Sequence, residues 1–198
     1  GKVLIYQNGQ LLPTPFIDLT NEVNDTLNRG LLGLALDPNF SSNHYVYLLY
    51  TYDPPELPGS FGQAGGPDGD GHRVARLVRV TANGNVAAPN SKVVLLGTNS
   101  TFAHIGSYDV GWGYGPISAC GEANQAVQDC IPSDSPSHSI GSVVFGLDGS
   151  LFVSTGDGAR FTDVDTRSLR SYDVNSLAGK ILRINPANGQ GYTDNPFY

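Results

Sequence analysis

Short runs of apolar residues recur along the chain, and each is too short for a helix. Leu31–Leu36 is apolar on both faces, as in a strand covered by neighbours on both sides. Tyr45–Tyr52 is aromatic and partly alternating, and further strand patterns begin at Arg73 (RVARLVRVTANG) and at Lys92 (KVVLLG). Consecutive antiparallel strands joined by short turns or insertions predict one blade of a β-propeller.

The same pattern occurs again further along the chain. Two apolar runs, 143–145 and 151–153, flank the turn sequence LDGS and predict a β-hairpin. AGKILRINPANG at 178–189 then repeats RVARLVRVTANG at 73–84, with an apolar-Arg-apolar centre and a final Ala-Asn-Gly in both. The period is about 105 residues, well above the ~40–50 of a compact blade, which predicts large inserted loops.

The inserted loops are marked by composition and length. Residues 53–72 contain too much Pro and Gly for a regular element, and residues 98–137 form a second long loop. We interpret residues 1–198 as part of one all-β propeller domain. Its open side would have to be closed by more of the same polypeptide or by a partner chain, because strand edges and apolar blade faces need cover.

Composition and charge exclude several classes of function. The chain has 25 Gly, 13 Pro and many short Val, Ile, Tyr and Leu runs, which favours an all-β protein. Its net charge is -7 and its 11 Lys and Arg form no basic face, which argues against nucleic acid. No apolar run approaches the ~20 residues that span a bilayer. The chain contains no Met, so we expect an interior or processed piece rather than a native start.

Cys120 and Cys130 lie ten residues apart in a loop that also holds Gly and Asn. A zinc site would need four ligands, whereas this spacing favours a disulfide-closed loop in an oxidising compartment. Sequons at Asn24, Asn39 and Asn99 predict N-glycosylation, although about two would arise by chance at this composition. These features predict an extracellular, secreted protein.

The hairpin that contains residues 143–153 carries the best candidate chemistry. His138 stands at its start, and Asp157 stands between two glycines at its end. Antiparallel strands of similar length bring these open ends together, so the two side chains are a candidate general-base pair. The alternative is structural: Asp157 makes an Asx turn and His138 is an ordinary loop residue.

Three sequence blocks together resemble the glucose/sorbosone dehydrogenase family, the soluble sugar dehydrogenases that use pyrroloquinoline quinone (PQQ). From Asn28 onward they follow the family's order: GLLGLALDPNFSSNHYVYLLYTY, HSIGSVVFGLDGSLFVSTGDGAR and NSLAGKILRINPANG. The resemblance implies a six-bladed β-propeller, of which this chain covers roughly the first half. It also implies PQQ and calcium as cofactors and a sugar as substrate.

The resemblance also implies roles for individual residues. His138 matches the family's general base, which takes the proton of the sugar's C1 hydroxyl as hydride passes to the quinone, and Asp157 matches the aspartate that supports it. Asn28 stands where family members have a Gln or Glu that lines the site, and it is one methylene shorter. Ile140 replaces the family's first glycine after the histidine, so we expect it to obstruct the approach of the cofactor.

Two acidic turns are candidate calcium sites. Asp68 and Asp70 alternate with glycine, and Asp163 and Asp165 flank a valine. Alternating carboxylates are typical of calcium loops, but each turn lacks the further ligands of a complete site, and ordinary turn chemistry gives the same pattern.

Other residues are less informative. Trp112, in a glycine-rich loop, can stack on a sugar ring or fill a small core within its own loop. His44, His72 and His104 lie in predicted loops without a second ligand at useful spacing, and we assign them no role.

The leading interpretation is a secreted PQQ-dependent aldose dehydrogenase domain with His138 as base, Asp157 as its partner and Asn28 in the pocket. The alternative is a non-catalytic extracellular propeller that binds glycans or proteins or assembles into fibres. The two differ in whether His138 faces a complete cofactor site. The Lys and Arg residues that neutralise the quinone's carboxylates belong to the family's later blades.

Overall fold

The computed structural model describes residues 1–122 and 127–198, and its regular structure is mostly β. The strands are β1 (Lys2–Val3), β2 (Tyr6–Gln7), β3 (Gln10–Leu11), β4 (Ile17–Asp18), β5 (Leu31–Leu36), β6 (Tyr45–Tyr52), β7 (Arg73–Asn83), β8 (Val86–Ala87), β9 (Val93–Leu96), β10 (Ile131–Ser133), β11 (Ile140–Phe145), β12 (Leu151–Thr155) and β13 (Ile181–Ile184). The helical elements are α1 (Phe40–Asn43) and the 3-10 turns Phe102–His104, Gly111–Gly113, Ala119–Gly121 and Thr166–Tyr172. Within the described ranges, none of the helices has the length and apolar character needed to traverse a bilayer.

The first blade is an antiparallel sheet in the order β5, β6, β7, with β9 beyond β7. Every residue of β6 is paired with β7, from Tyr45 opposite Thr81 to Tyr52 opposite Val74. With 11 residues, β7 is long enough to pair along its outer edge with β10, β9 and β8 in turn. The strands predicted from the apolar runs are therefore confirmed as one blade.

The second blade contains β11, β12 and β13 in that order. Phe145 pairs with Leu151 across the predicted hairpin turn, and Val153 pairs with Leu182 of β13. Strands β5, β6 and β7 thus correspond to β11, β12 and β13. The repeat seen in the sequence is confirmed as a repeat of β-units.

The two inserted loops are held against the first blade. No strand or helix lies within residues 53–72, and buried Arg73 fastens this loop by donating hydrogen bonds to the carbonyls of Ala64 and Gly66. In residues 98–137 the structure adds the edge strand β10, which the sequence did not predict. Its three residues include Pro132, and proline is tolerated in a sheet only at an edge or a bulge. The predicted bond between Cys120 and Cys130 is present and ties a 3-10 turn to the residue before β10.

Successive side chains of β6 point to opposite faces of the sheet and belong to two separate hydrophobic cores. Val46, Leu48 and Tyr50 face a core that is covered by the N-terminal segment, whereas Tyr47 and Leu49 face the second blade. The inter-blade core is formed by Tyr47, Leu49, Ala75, Leu77, Leu95, Leu96, Ile131, Ile140, Val143, Leu151, Val153 and Ile184. Each fully buried leucine contributes about 1.5–3 kcal/mol. This packing fixes β11 beside β5 and so places His138 relative to the first blade.

Two apolar faces remain open on either side of this pair of blades. Leu32, Leu34 and Leu36 of β5 are 46–51% exposed, and Val144 and Ile181 of the second blade are 59% and 77% exposed. In a ring of blades, faces of this kind are packed against neighbouring blades. Their exposure agrees with the expectation of further packing partners.

Candidate functional site

His138 and Asp157 meet at the open end of the β11–β12 hairpin. His138 Nδ1 lies 3.2 Å from Asp157 Oδ1, and the side chains are 45% and 23% exposed. In the neutral imidazole with its hydrogen on Nδ1, that nitrogen donates to the carboxylate and the Nε2 lone pair stays available. Among the described residues, no hydrogen bond occupies Nε2. The predicted pair therefore has the geometry of a general base with an orienting carboxylate.

The backbone around this pair leaves no room for larger residues. Gly156 N and Gly158 N donate to the carbonyls of Ser139 and His138, at 2.5 and 2.8 Å. A Cβ on Gly156 would lie 2.0 Å from His138 O, so glycine is required there. His138 itself has φ = 49°, a left-handed conformation that costs energy for a residue other than glycine. The surrounding hydrogen bonds must hold it.

Asn28 reaches the same loop through its backbone. Asn28 N donates to Pro136 O at 3.1 Å, two residues before His138, and the Asn28 side chain is exposed. The structure therefore brings this residue of the first blade to the His138 loop. The role of its amide toward a ligand stays a prediction.

Ile140 does not obstruct the site, so that expectation was wrong. Its side chain is 8% exposed and belongs to the inter-blade core. A β-bulge between Ile140 and Val143 places both on the buried face, where a regular strand would put them on opposite faces. The isoleucine therefore stabilises the blade interface.

One exposed aromatic residue, Phe161, lies beside His138, and Arg160 links the segment after Asp157 to the loop of Trp112 and Tyr114. The rings of Phe161 and His138 are 6.4 Å apart, and the Arg160 guanidinium stacks 4.2 Å from the centre of the Tyr114 ring. Arg160 Nη1 also donates to Gly113 O at 3.0 Å, which fastens the Trp112 loop beside the Asp157 segment. Trp112 is partly exposed with φ = 55°. Sequence reasoning named Trp112 but missed the others, whose only signal was an Arg-Phe pair after the GDG turn.

Asp163 and Asp165 are engaged by arginines. Arg160 Nε lies 2.9 Å from Asp163 Oδ1, and Arg167 Nη2 lies 2.7 Å from Asp165 Oδ2. Burial raises the pKa of Asp165, but hydrogen bonds from Arg167 and from the Arg160 backbone lower it to about 2. These carboxylates are ionised, and their charge is already neutralised.

The other acidic turn is also used within the fold. Asp68 Oδ1 accepts a hydrogen bond from Asp25 N at 2.9 Å, and burial raises the pKa of Asp68. Asp70 lies close to Gly111, at the start of the 3-10 turn that carries Trp112. Across residues 1–122 and 127–198, no three His, Cys, Asp or Glu side chains come together as a metal site. Calcium binding at Asp68, Asp70, Asp163 and Asp165 stays a prediction.

The sequons differ in accessibility. Asn24 is fully buried, and its Nδ2 donates to Asp53 Oδ1 and Gly69 O, at 3.0 and 2.9 Å. Since a glycan would be attached to this nitrogen, glycosylation of Asn24 and this fold exclude each other. Asn39 and Asn99 are both exposed, but Asn99 Nδ2 donates to Gln128 O. Asn39 is the sequon best placed for modification.

A second histidine–aspartate pair lies in the interior. His72 Nδ1 and Asp134 Oδ1 are 3.8 Å apart, and both side chains are 0% exposed. Arg170 Nη2 lies 2.8 Å from Asp134 Oδ2, and Arg167 Nη1 lies 3.3 Å from His72 Nε2. Burial lowers the pKa of His72 despite the nearby carboxylate. This pair was missed because its members are 62 residues apart and carry no motif.

Solved structures of sugar dehydrogenases share this fold. An oxidoreductase of Thermus thermophilus, described as a glucose dehydrogenase, matches all of this chain and 41% of its own chain, with a TM-score of 0.58 and 25% identity. The PQQ-bound aldose sugar dehydrogenase of Streptomyces coelicolor matches 95% of this chain and 38% of its own, with a TM-score of 0.52 and 22% identity. The apo-form of the soluble aldose sugar dehydrogenase of Escherichia coli matches 99% and 41%, with a TM-score of 0.56 and 18% identity.

Curated relatives come from a plant. HIPL2 protein of Arabidopsis thaliana is 28% identical over 186 residues, which cover 86% of this chain. HIPL1 protein of the same plant is 25% identical over 181 residues, or 88% of this chain. The chain spans only 23% of the length of each relative.

The family itself is established by a match to its sequence model. The model described as Glucose / Sorbosone dehydrogenase matches residues 1–108 and 120–198. These ranges include both blades, His138 and Asp157. The chain belongs to the glucose/sorbosone dehydrogenase family.

Proposed function

We propose that this chain supplies the general base of a PQQ-dependent dehydrogenase that oxidises a sugar hydroxyl. The observation that carries the proposal is the exposed His138, whose Nδ1 lies 3.2 Å from Asp157 while Nε2 is free of hydrogen bonds among the described residues. A base needs an open lone pair and a partner that holds its orientation. His138 has both.

In this reaction His138 Nε2 accepts the proton of the sugar's C1 hydroxyl. Asp157 keeps the imidazole hydrogen on Nδ1 and stabilises the imidazolium that forms, as a carboxylate does beside a catalytic histidine. PQQ, when bound, supplies the acceptor for the hydride that leaves C1. The exposed rings of Trp112 and Phe161 offer apolar faces on which a sugar ring can stack.

The described residues provide the base but little counter-charge for the carboxylates of PQQ. Arg160, three residues after Asp157, is already paired with Asp163 and Asp165. The net charge of -7 also disfavours an anionic ligand. We therefore propose that cations from other propeller blades or from a partner chain complete the cofactor site.

The proposed compartment is extracellular. The Cys120–Cys130 bond supports it, since disulfides persist mainly in oxidising environments. Exposed Asn39 would then be available for N-glycosylation.

The test is sugar oxidation by the full-length protein loaded with PQQ, measured with a soluble electron acceptor. We expect His138→Ala to lower kcat by at least ~100-fold with the fold intact. Asp157→Asn should lower it less, because Nε2 remains while its orientation is lost. His44→Asn serves as the matched control, since asparagine tolerates the left-handed backbone at this remote position.

Unchanged turnover in His138→Ala would remove the proposed base. That result would favour the alternative, a non-catalytic propeller module that binds glycans through the same exposed rings.

A further inference from the structure

We propose that Arg29 is a positioning residue that holds His138 in place from the neighbouring blade; this rests on the general-base role proposed above. Arg29 lies in the segment that leads into β5, and its side chain is only 3% exposed. Its hydrogen bonds run to the loop that precedes His138 and to one carbonyl of the 53–72 loop. Arg29 therefore joins the segment before β5 to β10, the strand that leads into the His138 loop.

The Arg29 guanidinium donates two hydrogen bonds to Ser133. Arg29 Nη2 donates to Ser133 O at 2.6 Å, and Arg29 Nε donates to Ser133 Oγ at 3.2 Å. The third guanidinium nitrogen, Nη1, donates to Gly69 O at 3.1 Å. A planar fork can satisfy these acceptors together, whereas a lysine ammonium offers a single point of charge.

A short chain of hydrogen-bonded hydroxyl groups links Ser133 to Ser139, the residue after His138. Ser133 Oγ lies 3.1 Å from Ser139 Oγ, which lies 2.8 Å from Thr51 Oγ1 in β6. Arg29 can only donate, so Ser133 Oγ keeps its own hydrogen for Ser139. Both serines are buried, and an unmade bond in this chain would be costly.

The neighbouring backbone adds an independent anchor. Asn28 N donates to Pro136 O at 3.1 Å, so consecutive residues of the first blade hold both halves of the loop 133–139. His138 lies within this loop at φ = 49°. A strained residue keeps such a conformation only where its surroundings enforce it.

The burial of Arg29 supports a dedicated role. No carboxylate among the described residues forms an ion pair with it, and its bonds go to two carbonyls and one hydroxyl. Burial, followed by the charge of Arg73, lowers the pKa of Arg29 to about 9, which leaves it charged at neutral pH. A buried charge of this kind is expensive, and here its bonding is directed mainly at the segment that bears His138.

The experiment compares Arg29→Lys and Ser133→Ala with wild type in the full-length protein. The imidazole ¹⁵N signals of His138 report whether Nδ1 keeps its hydrogen toward Asp157, and steady-state kinetics separate kcat from KM. We expect both variants to change the signals from one tautomer to a mixture. We also expect kcat to fall about 10-fold with KM nearly constant, because small misplacement of a catalytic group is costly.

Arg73→Lys is the matched control, since Arg73 is equally buried and pairs with Asp53 at 2.5 Å. It should lower the unfolding temperature and leave the His138 signals unchanged. Wild-type signals in both test variants, or the same change in Arg73→Lys, would overturn the proposal. If wild type oxidises no sugar, the proposed function fails, and the ¹⁵N signals alone decide whether Arg29 positions His138.

Discussion

The exposed pair His138–Asp157 and the buried pair His72–Asp134 use the same residue types in opposite environments. The first is separated by 3.2 Å at the surface, and the second by 3.8 Å in a fully buried position. Arg167 and Arg170 contact the buried pair, and Arg170 neutralises the carboxylate. A histidine beside a carboxylate is therefore not a catalytic signature by itself. Access to the free imidazole nitrogen separates a candidate base from a structural contact.

The buried pair joins three segments of the chain. His72 precedes β7, Asp134 follows β10, and Arg170 lies in the 3-10 turn Thr166–Tyr172. His72 Nδ1 and Asp134 Oδ1 form no hydrogen bond with the described residues, although both are buried. Such groups stabilise the fold only as long as their charges stay matched. The surface pair is free of this constraint because water solvates both partners.

Replacing each aspartate by asparagine compares the two pairs directly. The largest expected loss of unfolding free energy is that of Asp134→Asn. This change leaves the Arg170 guanidinium buried without its carboxylate, since Arg170 Nη2 lies 2.8 Å from Asp134 Oδ2. Breaking a buried pair from one side costs about 3–5 kcal/mol. Urea unfolding of the oxidised protein measures the loss. A loss below about 1 kcal/mol would show that the buried pair is no more important than a surface pair.

A smaller effect is expected from pH, through His72. Burial lowers the pKa of His72, while Asp134 opposes the shift and Arg167 adds to it. The unfolded chain therefore binds a proton below pH 6.5 that the folded chain does not, and stability falls as pH decreases through that range. One such group gives a slope of at most about 1.4 kcal/mol per pH unit.

The variant His72→Gln isolates this contribution. Its unfolding free energy, measured between pH 8 and pH 5, should fall less steeply than that of wild type. Near-ultraviolet circular dichroism at pH 8 checks that the variant keeps the native packing. Equal slopes in the two proteins would mean that His72 does not titrate on unfolding.

The features that could be predicted from the sequence are those set by local residue patterns. Alternation and turn residues located the strands of both blades, and the hairpin rule placed His138 near Asp157 because the ends of antiparallel strands meet. Ile140 was misjudged because a β-bulge reverses the face of a side chain without leaving a sequence signal.

Contacts between distant segments could not be predicted. Arg29 and Ser133 are 104 residues apart, and their segments meet because β10 pairs with β7 in the same sheet that contains β5. The same β10–β7 pairing brings His72 and Asp134 together, since Ser133 lies opposite Arg73 in its register. A single sequence gives no distance information on such pairs, and buried arginines in loops look like ordinary surface charges.

The smallest expected effect is that of Asp157→Asn on stability. His138 is 45% exposed and water screens its interaction with Asp157, so the pair contributes about 0.2–1 kcal/mol at most. Added salt should weaken this contribution further, whereas the Asp134→Asn loss should persist because buried charges are poorly screened. Urea unfolding of both variants at low and high salt measures the difference. Asp157 is therefore expected to orient His138 and to contribute little to stability. If Asp157→Asn lost as much unfolding free energy as Asp134→Asn, both pairs would be structural.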